Sequence, residues 1–153
     1  MSTDTQPAKT YVGHRDARGE ALIEVRADGE KIGRPLRHLV RHSPTGFEWG
    51  YGGSGPADTA RSILADHLGH PVPPAVYQRF KAAVVQNLAK EWHLASQQID
   101  QALTTIRQDM QIECLRCGDS GFVWKSEDPD LAEDGYCSCS LGDAARRDCE
   151  GDA

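Results

Sequence analysis

Two cysteine pairs constrain this chain more than any other feature. Cys114-Leu115-Arg116-Cys117 and Cys137-Ser138-Cys139 stand 19 residues apart, and each pair can present two sulfurs from one tight turn. Paired thiolates on two such hooks suit a tetrahedral Zn²⁺ ion with Cys114, Cys117, Cys137 and Cys139 as ligands. Gly118 follows the first pair, where a knuckle needs a residue free of Cβ strain. Phe122-Val123-Trp124 reads as a ribbon strand, and Gly135-Tyr136 leads back into the second hook. A metal held by four protein thiolates keeps no open coordination position, so its expected task is to hold the fold. Cys149 is left over as a spare thiol. An iron site on the same ligands and a disulfide pairing are the alternatives. The second is disfavoured by the N-terminus, MSTDTQPAKT, which has no apolar core and reads as a solvated tail of a cytoplasmic protein.

Charge divides the chain at about the same place. The net charge is −6, but residues 1–100 hold 12 basic against 11 acidic side chains, while residues 101–153 hold 5 against 12. A metal with four thiolates adds two further negative charges to the C-terminal part. Phosphate contact needs cations at the interface, and this part offers only Arg107, Arg116, Lys125, Arg146 and Arg147. A protein partner with a basic surface fits it better than nucleic acid. No window approaches the roughly 18 apolar residues of a spanning helix, so no membrane partner is expected.

Periodicity supplies the remaining elements. Tyr11–His14 and Ala21–Arg26 read as strands, and Asp28-Gly29 makes a two-residue hairpin signal returning through Lys31-Ile32. Lys31, Arg34, Arg37 and Arg41 lie in a stretch, 31–42, that holds no acid. After Pro35, the spacing of Leu36, Leu39 and Val40 predicts a short helix with Arg37, His38 and Arg41 facing outward. Phe47–Tyr51 reads as an aromatic strand. Ser54 or Gly55 then caps a helix beginning at Pro56, with Asp58 in its first turn and Ala60, Ile63, Leu64 and Leu68 as its stripe. GHPVPP, residues 69–74, ends that helix. The spacing of Val76, Phe80, Val84 and Leu88 predicts a second helix from Pro74 to Lys90, with Trp92 and Leu94 in a break after it. A third helix begins at Ser96 with Ile99, Leu103, Ile106 and Met110 along one face. That stripe packs on the first module; a dimer seam along the 96–112 helix is the alternative.

Gly50-Tyr51-Gly52-Gly53-Ser54-Gly55 matches G-x-G-x-x-G between a strand and a helix. A dinucleotide fold also needs a second parallel strand after that helix, and here a second helix follows instead. The better reading is a tight strand-to-helix corner that leaves Trp49, Tyr51 and Ser54 as candidates for a binding surface. His67, His70 and Asp66 are a further, weaker candidate for a metal. No nucleophile, base and acid stand together in the pattern, so no enzyme is expected.

Several motifs resemble a bacterial and phage domain family of unknown function. Its core is GFEWGYGGSGPA, here residues 46–57. Its Y-x-G-x-R start is Tyr11-Val12-Gly13-His14-Arg15, and its YQ-x-F-K helix is Tyr77-Gln78-Arg79-Phe80-Lys81, running on to Trp92. The resemblance spans about residues 10–100. It implies a phage or mobile-element context and brings no catalytic residues. The cysteine pattern is similar to the hooks of zinc ribbons and of cysteine-rich chaperone modules, although its second hook is one residue short.

The expected architecture is α+β: a small antiparallel sheet packed by about three helices, followed by a four-cysteine zinc ribbon. Residues 1–9 form a tail, 10–95 the α+β domain, 96–112 a linking helix, 113–142 the ribbon and 143–153 an acidic tail. The expected function is a non-enzymatic, zinc-binding accessory protein that binds another protein, such as a host defence complex that it inhibits. The rival is a nucleic-acid-binding regulator using the basic stretch 31–42.

Overall fold

The computed structural model describes residues 8–123 and 135–150, the last three without their side chains. Residues 1–7 of the expected tail, Trp124 and Lys125 of the expected ribbon, and the Cys149 thiol lie outside what is described.

Four antiparallel strands form one sheet: β1 (Lys9–Arg15), β2 (Ala21–Ala27), β3 (Arg34–Pro35) and β4 (Trp92–Ala95), in the order β3-β2-β1-β4. Alternation sets the buried face, with Tyr11, Ile23, Val25, Trp92 and Leu94 inside and Leu22 42% exposed on the other side. Three helices cover that face: α1 (Ser54–Leu68), α2 (Pro74–Ala83) and α3 (Ser96–Met110). Ala60, Ile63 and Leu64 of α1, Val76, Tyr77 and Phe80 of α2, and Ile99, Leu103 and Ile106 of α3 join the strands in one core, and Met110 packs against it. The α3 stripe Ile99, Leu103 and Ile106 is therefore buried within the molecule. A fourth helix, α4 (Ser140–Glu150), follows the second cysteine pair and takes up most of the acidic segment expected as a tail.

The segment between β3 and α1 departs from expectation. Residues 36–42 are not helical and Phe47–Tyr51 is not a strand. Their backbone groups are taken instead by three buried polar side chains of α1. Ser62 Oγ accepts the Leu39 N–H at 2.9 Å. The Asp58 carboxylate accepts the N–H groups of Arg41, His42 and Ser43 at 3.2, 2.9 and 2.8 Å. Thr59 Oγ1 accepts from the Glu48 N–H at 3.1 Å and donates to the Glu48 carbonyl at 2.7 Å. A chain whose polar groups are satisfied this way gains nothing from coiling, so tertiary contact overrides helical spacing. Leu36, Leu39, Phe47 and Trp49 still bury their side chains, whereas Val40 is 52% exposed.

Helix boundaries also shift. α1 begins at Ser54, with Gly53 extended at the capping position and no side-chain cap. Asp58 is thus its fifth residue, facing inward, and not a first-turn acid. Gly69, left-handed at φ 77°, closes α1. α2 stops at Ala83, seven residues short of Lys90, where the Asn87 side-chain amide donates to the carbonyls of Ala82 and Ala83. The expected break at Trp92 is strand β4, and Ser96 begins α3 as read, its hydroxyl bonded to both the N–H and the carbonyl of Lys9 at 2.9 Å.

Candidate metal centre

The chain turns out of α3 through Gln111, left-handed at φ 55°. Asp119, itself at φ 66°, folds its carboxylate back to accept the N–H groups of Glu113, at 3.0 and 2.9 Å, and Cys114, at 2.8 Å. The first hook closes with the Gly118 N–H on the Cys114 carbonyl at 2.9 Å. Phe122 and Tyr136 then form an antiparallel bridge, and the Cys137 N–H donates to the Gly121 carbonyl at 2.9 Å, which sets the second hook beside the first. Arg116 and Ser138, one from each hook, bond across the gap at 2.9 Å.

All four sulfurs, of Cys114, Cys117, Cys137 and Cys139, lie within 4.8 Å of one another. Cys114 and Cys137 are 3.6 Å apart, and Cys117 and Cys139 3.7 Å. Disulfide bonds of about 2.0 Å are not made. A regular tetrahedron of thiolates about 2.3 Å from a central ion has edges of about 3.8 Å, close to these separations. The cluster can hold a metal ion, and its donor set fits one.

The thiols differ in how the protein surrounds them. Burial pushes the Cys137 thiol up to about 12 and also raises Cys117, although the Gly121 N–H opposes the second shift. Burial acts on Cys139 too, but the Gly142 N–H and the three neighbouring thiols bring it down to about 7. Cys139 directly precedes α4, where free N–H groups stabilise a thiolate. Two glycines let α4 lie this close. A Cβ at Gly142 would overlap the Cys137 carbonyl, and one at Gly121 would reach within 2.7 Å of the Leu141 carbonyl oxygen.

This module is joined to the α+β core. Ile112 and Leu115, the latter inside the first hook, pack against the core cluster, and Gly118 faces Pro73 of the α1–α2 loop. Its outer side carries Phe122, 45% exposed, and Leu141, 39% exposed. The Tyr136 ring lies 5.5 Å from that of Phe122 and 5.4 Å below the Arg146 guanidinium.

The other candidate residues do not converge. Lys31 is exposed in the β2–β3 connection, Arg34 pairs with Asp66 at 2.6 Å, and Arg37 and Arg41 are exposed on the 36–42 segment. Trp49 is 4% exposed and belongs to the core, edge-on to Trp92 at 5.5 Å and beneath Arg15 at 5.0 Å. Tyr51, 52% exposed, and Ser54 remain at the surface. The glycine loop is a platform for side chains. A Cβ at Gly53 would meet the Tyr51 ring at 2.7 Å, and one at Gly55 the Glu48 Cβ at 2.7 Å. Gly55 is buried, whereas Gly52 and Ser54 are exposed. The histidine candidates also separate: His67 bonds Asp100 at 2.6 Å, while Asp66 accepts from Tyr11 at 2.7 Å and from Arg34. The pattern-based reading missed Asp58, which has no exposure. Its signal was the polar trio Asp58, Thr59 and Ser62 beside an apolar stripe.

Among the described residues no helix is long and apolar enough to cross a membrane. No curated protein and no solved structure matches the chain. A model of a family of unknown function, DUF6166, matches residues 11–105, from the first strand into α3 and short of the cysteine module. The chain belongs to this family of unknown function.

Proposed function

We propose that this is a non-enzymatic accessory protein of the cytoplasm that carries one structural Zn²⁺ and acts by binding another protein. Zinc is the metal that four thiolates in a closed tetrahedral set suit best, and it leaves no position for a substrate. One observation supports the binding role: the acidic metal module exposes Phe122 and Leu141, with the Tyr136 ring against Phe122 and beneath Arg146. Apolar anchors inside a strongly charged rim are how a protein surface selects a partner of opposite charge. The partner is a protein with a basic face. In the phage or mobile-element context that the motifs suggest, a host defence complex inhibited by this contact is the biological reading.

Elemental analysis of protein purified without chelator tests the metal, with about one zinc per chain expected. Pull-down from host lysate tests the partner. It should return a basic protein that high salt releases and that Phe122→Ser abolishes. Equal capture by wild type and Phe122→Ser would sink the proposal, as would the absence of any specific protein.

A further inference from the structure

One cluster of cations stands apart from the metal module. Asp58 anchors the N–H groups of Arg41, His42 and Ser43, which fixes where these side chains leave the backbone. His42 lays its ring against Tyr77, with Nε2 2.9 Å from the buried hydroxyl. Arg61, one turn of α1 beyond Asp58, donates from Nη1 to the Leu39 carbonyl at 3.1 Å. Arg41 and Arg61 also sit close enough to Tyr77 to act on it. Burial raises the pKa of its hydroxyl, the charges of Arg41 and Arg61 pull it back, and Asp58 adds to the rise.

The local charge balance is unfilled. Among the described residues neither Arg41 nor Arg61 forms an ion pair. Asp58 is the acid at hand, and its oxygens are committed to the three backbone N–H groups and to His38 Nε2 at 3.3 Å. Arg61 uses one donor of the guanidinium's five on Leu39. His42 has its Nε2 occupied by Tyr77, which directs Nδ1 elsewhere. Arg41 and His42 are exposed, so a ligand can reach them.

We infer that Arg41, Arg61 and His42 form a binding site for a phosphate group, with Tyr77 holding the His42 ring in place. Two guanidinium groups match phosphate oxygens as forked donors, and an imidazole N–H supplies a third contact. The site is independent of the protein-binding reading, since it lies in the α+β domain and uses none of the same residues. It also relocates the cationic surface suggested by residues 31–42, keeping Arg41 and His42 of that stretch and adding Arg61 of α1.

The test uses the full metal-loaded chain and two probes: inorganic phosphate by calorimetry, and a labelled 12-nucleotide DNA by anisotropy at several salt concentrations. Phosphate binding that Arg41→Gln weakens about tenfold or more is expected from the loss of a charged contact. His42→Ala serves as a second variant, and unchanged melting of either variant shows that the fold persists. Oligonucleotide binding whose salt slope drops by about 1 in Arg41→Gln identifies a nucleic-acid backbone as the source of the phosphate. Binding of inorganic phosphate alone upholds the site and assigns it to a small phosphorylated ligand. Failure of the wild type to bind either probe overturns the inference, and so does wild-type affinity in both variants.

Discussion

The indole of Trp92 lies directly on Gly13, its cross-strand partner between β4 and β1, and a Cβ at Gly13 would clash with the indole ring. The aromatic covers the bare backbone of the strand glycine and fills the space that a side chain would take. Trp92 is 5% exposed, and its buried Nε1 finds no hydrogen-bond partner among the described residues. Gly13→Ala should therefore cost about 3 kcal/mol by overpacking. Urea unfolding would show this as a lower midpoint. An alanine variant as stable as wild type would mean that the indole has room to move.

Asp58 is expected to be the costliest single polar deletion. Asp58→Ala leaves the N–H groups of Arg41, His42 and Ser43 without an acceptor in a buried setting, a loss of about 3–5 kcal/mol. Asp58→Asn keeps one oxygen and should cost about half as much. Chemical denaturation of the two variants separates the loss of charge from the loss of the acceptor.

Asp66 makes stability depend on pH. Burial disfavours its ionised form, but hydrogen bonds from Tyr11 and Arg34 and the charge of Lys9 outweigh it and hold the carboxyl below its ordinary 3.8. A folded value that is depressed contributes stability above the unfolded value, and that stability is lost as pH falls through the folded one. Unfolding free energy should thus drop on acidification below pH 3.8, and Asp66→Asn should flatten that slope. Tyr11 acts at the other end. Burial and Asp66 raise its hydroxyl, so its share is complete below the ordinary 10.0 and declines at more alkaline pH. Melts across the pH range would read both effects.

Removing the metal should be felt beyond the cysteines. Ile112 and Leu115 tie the first hook to the main core, so disordering the hooks uncovers apolar surface on both sides. Chelation should lower the melting temperature by about 5 °C or more, together with loss of helical signal from α4, which at 11 residues is too short to persist alone. Cys117→Ser should reproduce both effects without chelator. An unchanged melt would show that the two modules fold independently.

How much of this was legible in the sequence depended on where each residue finds its partner. The cysteine hooks, the strands β1 and β2, and the stripes of α1 and α3 were readable, because local spacing alone fixes which face is buried. β4 was not, since four residues are too few for alternation to show, and its partner β1 lies some 80 residues earlier. The 36–49 segment carried helix-like and strand-like spacing, yet its backbone is bonded to Asp58, Thr59 and Ser62. Nothing local announces that a polar side chain will stand in for a neighbouring strand. The same holds for the cation cluster: Arg61 is 20 residues from Arg41, and only the packing of α1 under the segment brings them together.

That mode of attachment gives the 36–49 segment its own thermodynamic character. Beyond Leu36, whose N–H bonds the Ile23 carbonyl of β2, its anchored amides, those of Leu39, Arg41, His42, Ser43 and Glu48, close onto three side chains of a single helix and onto no ladder. It can lift as one unit while the helices and paired strands beneath keep their own hydrogen bonds. Native-state hydrogen exchange should then assign these five amides a common opening free energy, below that of the α1 amides they cover.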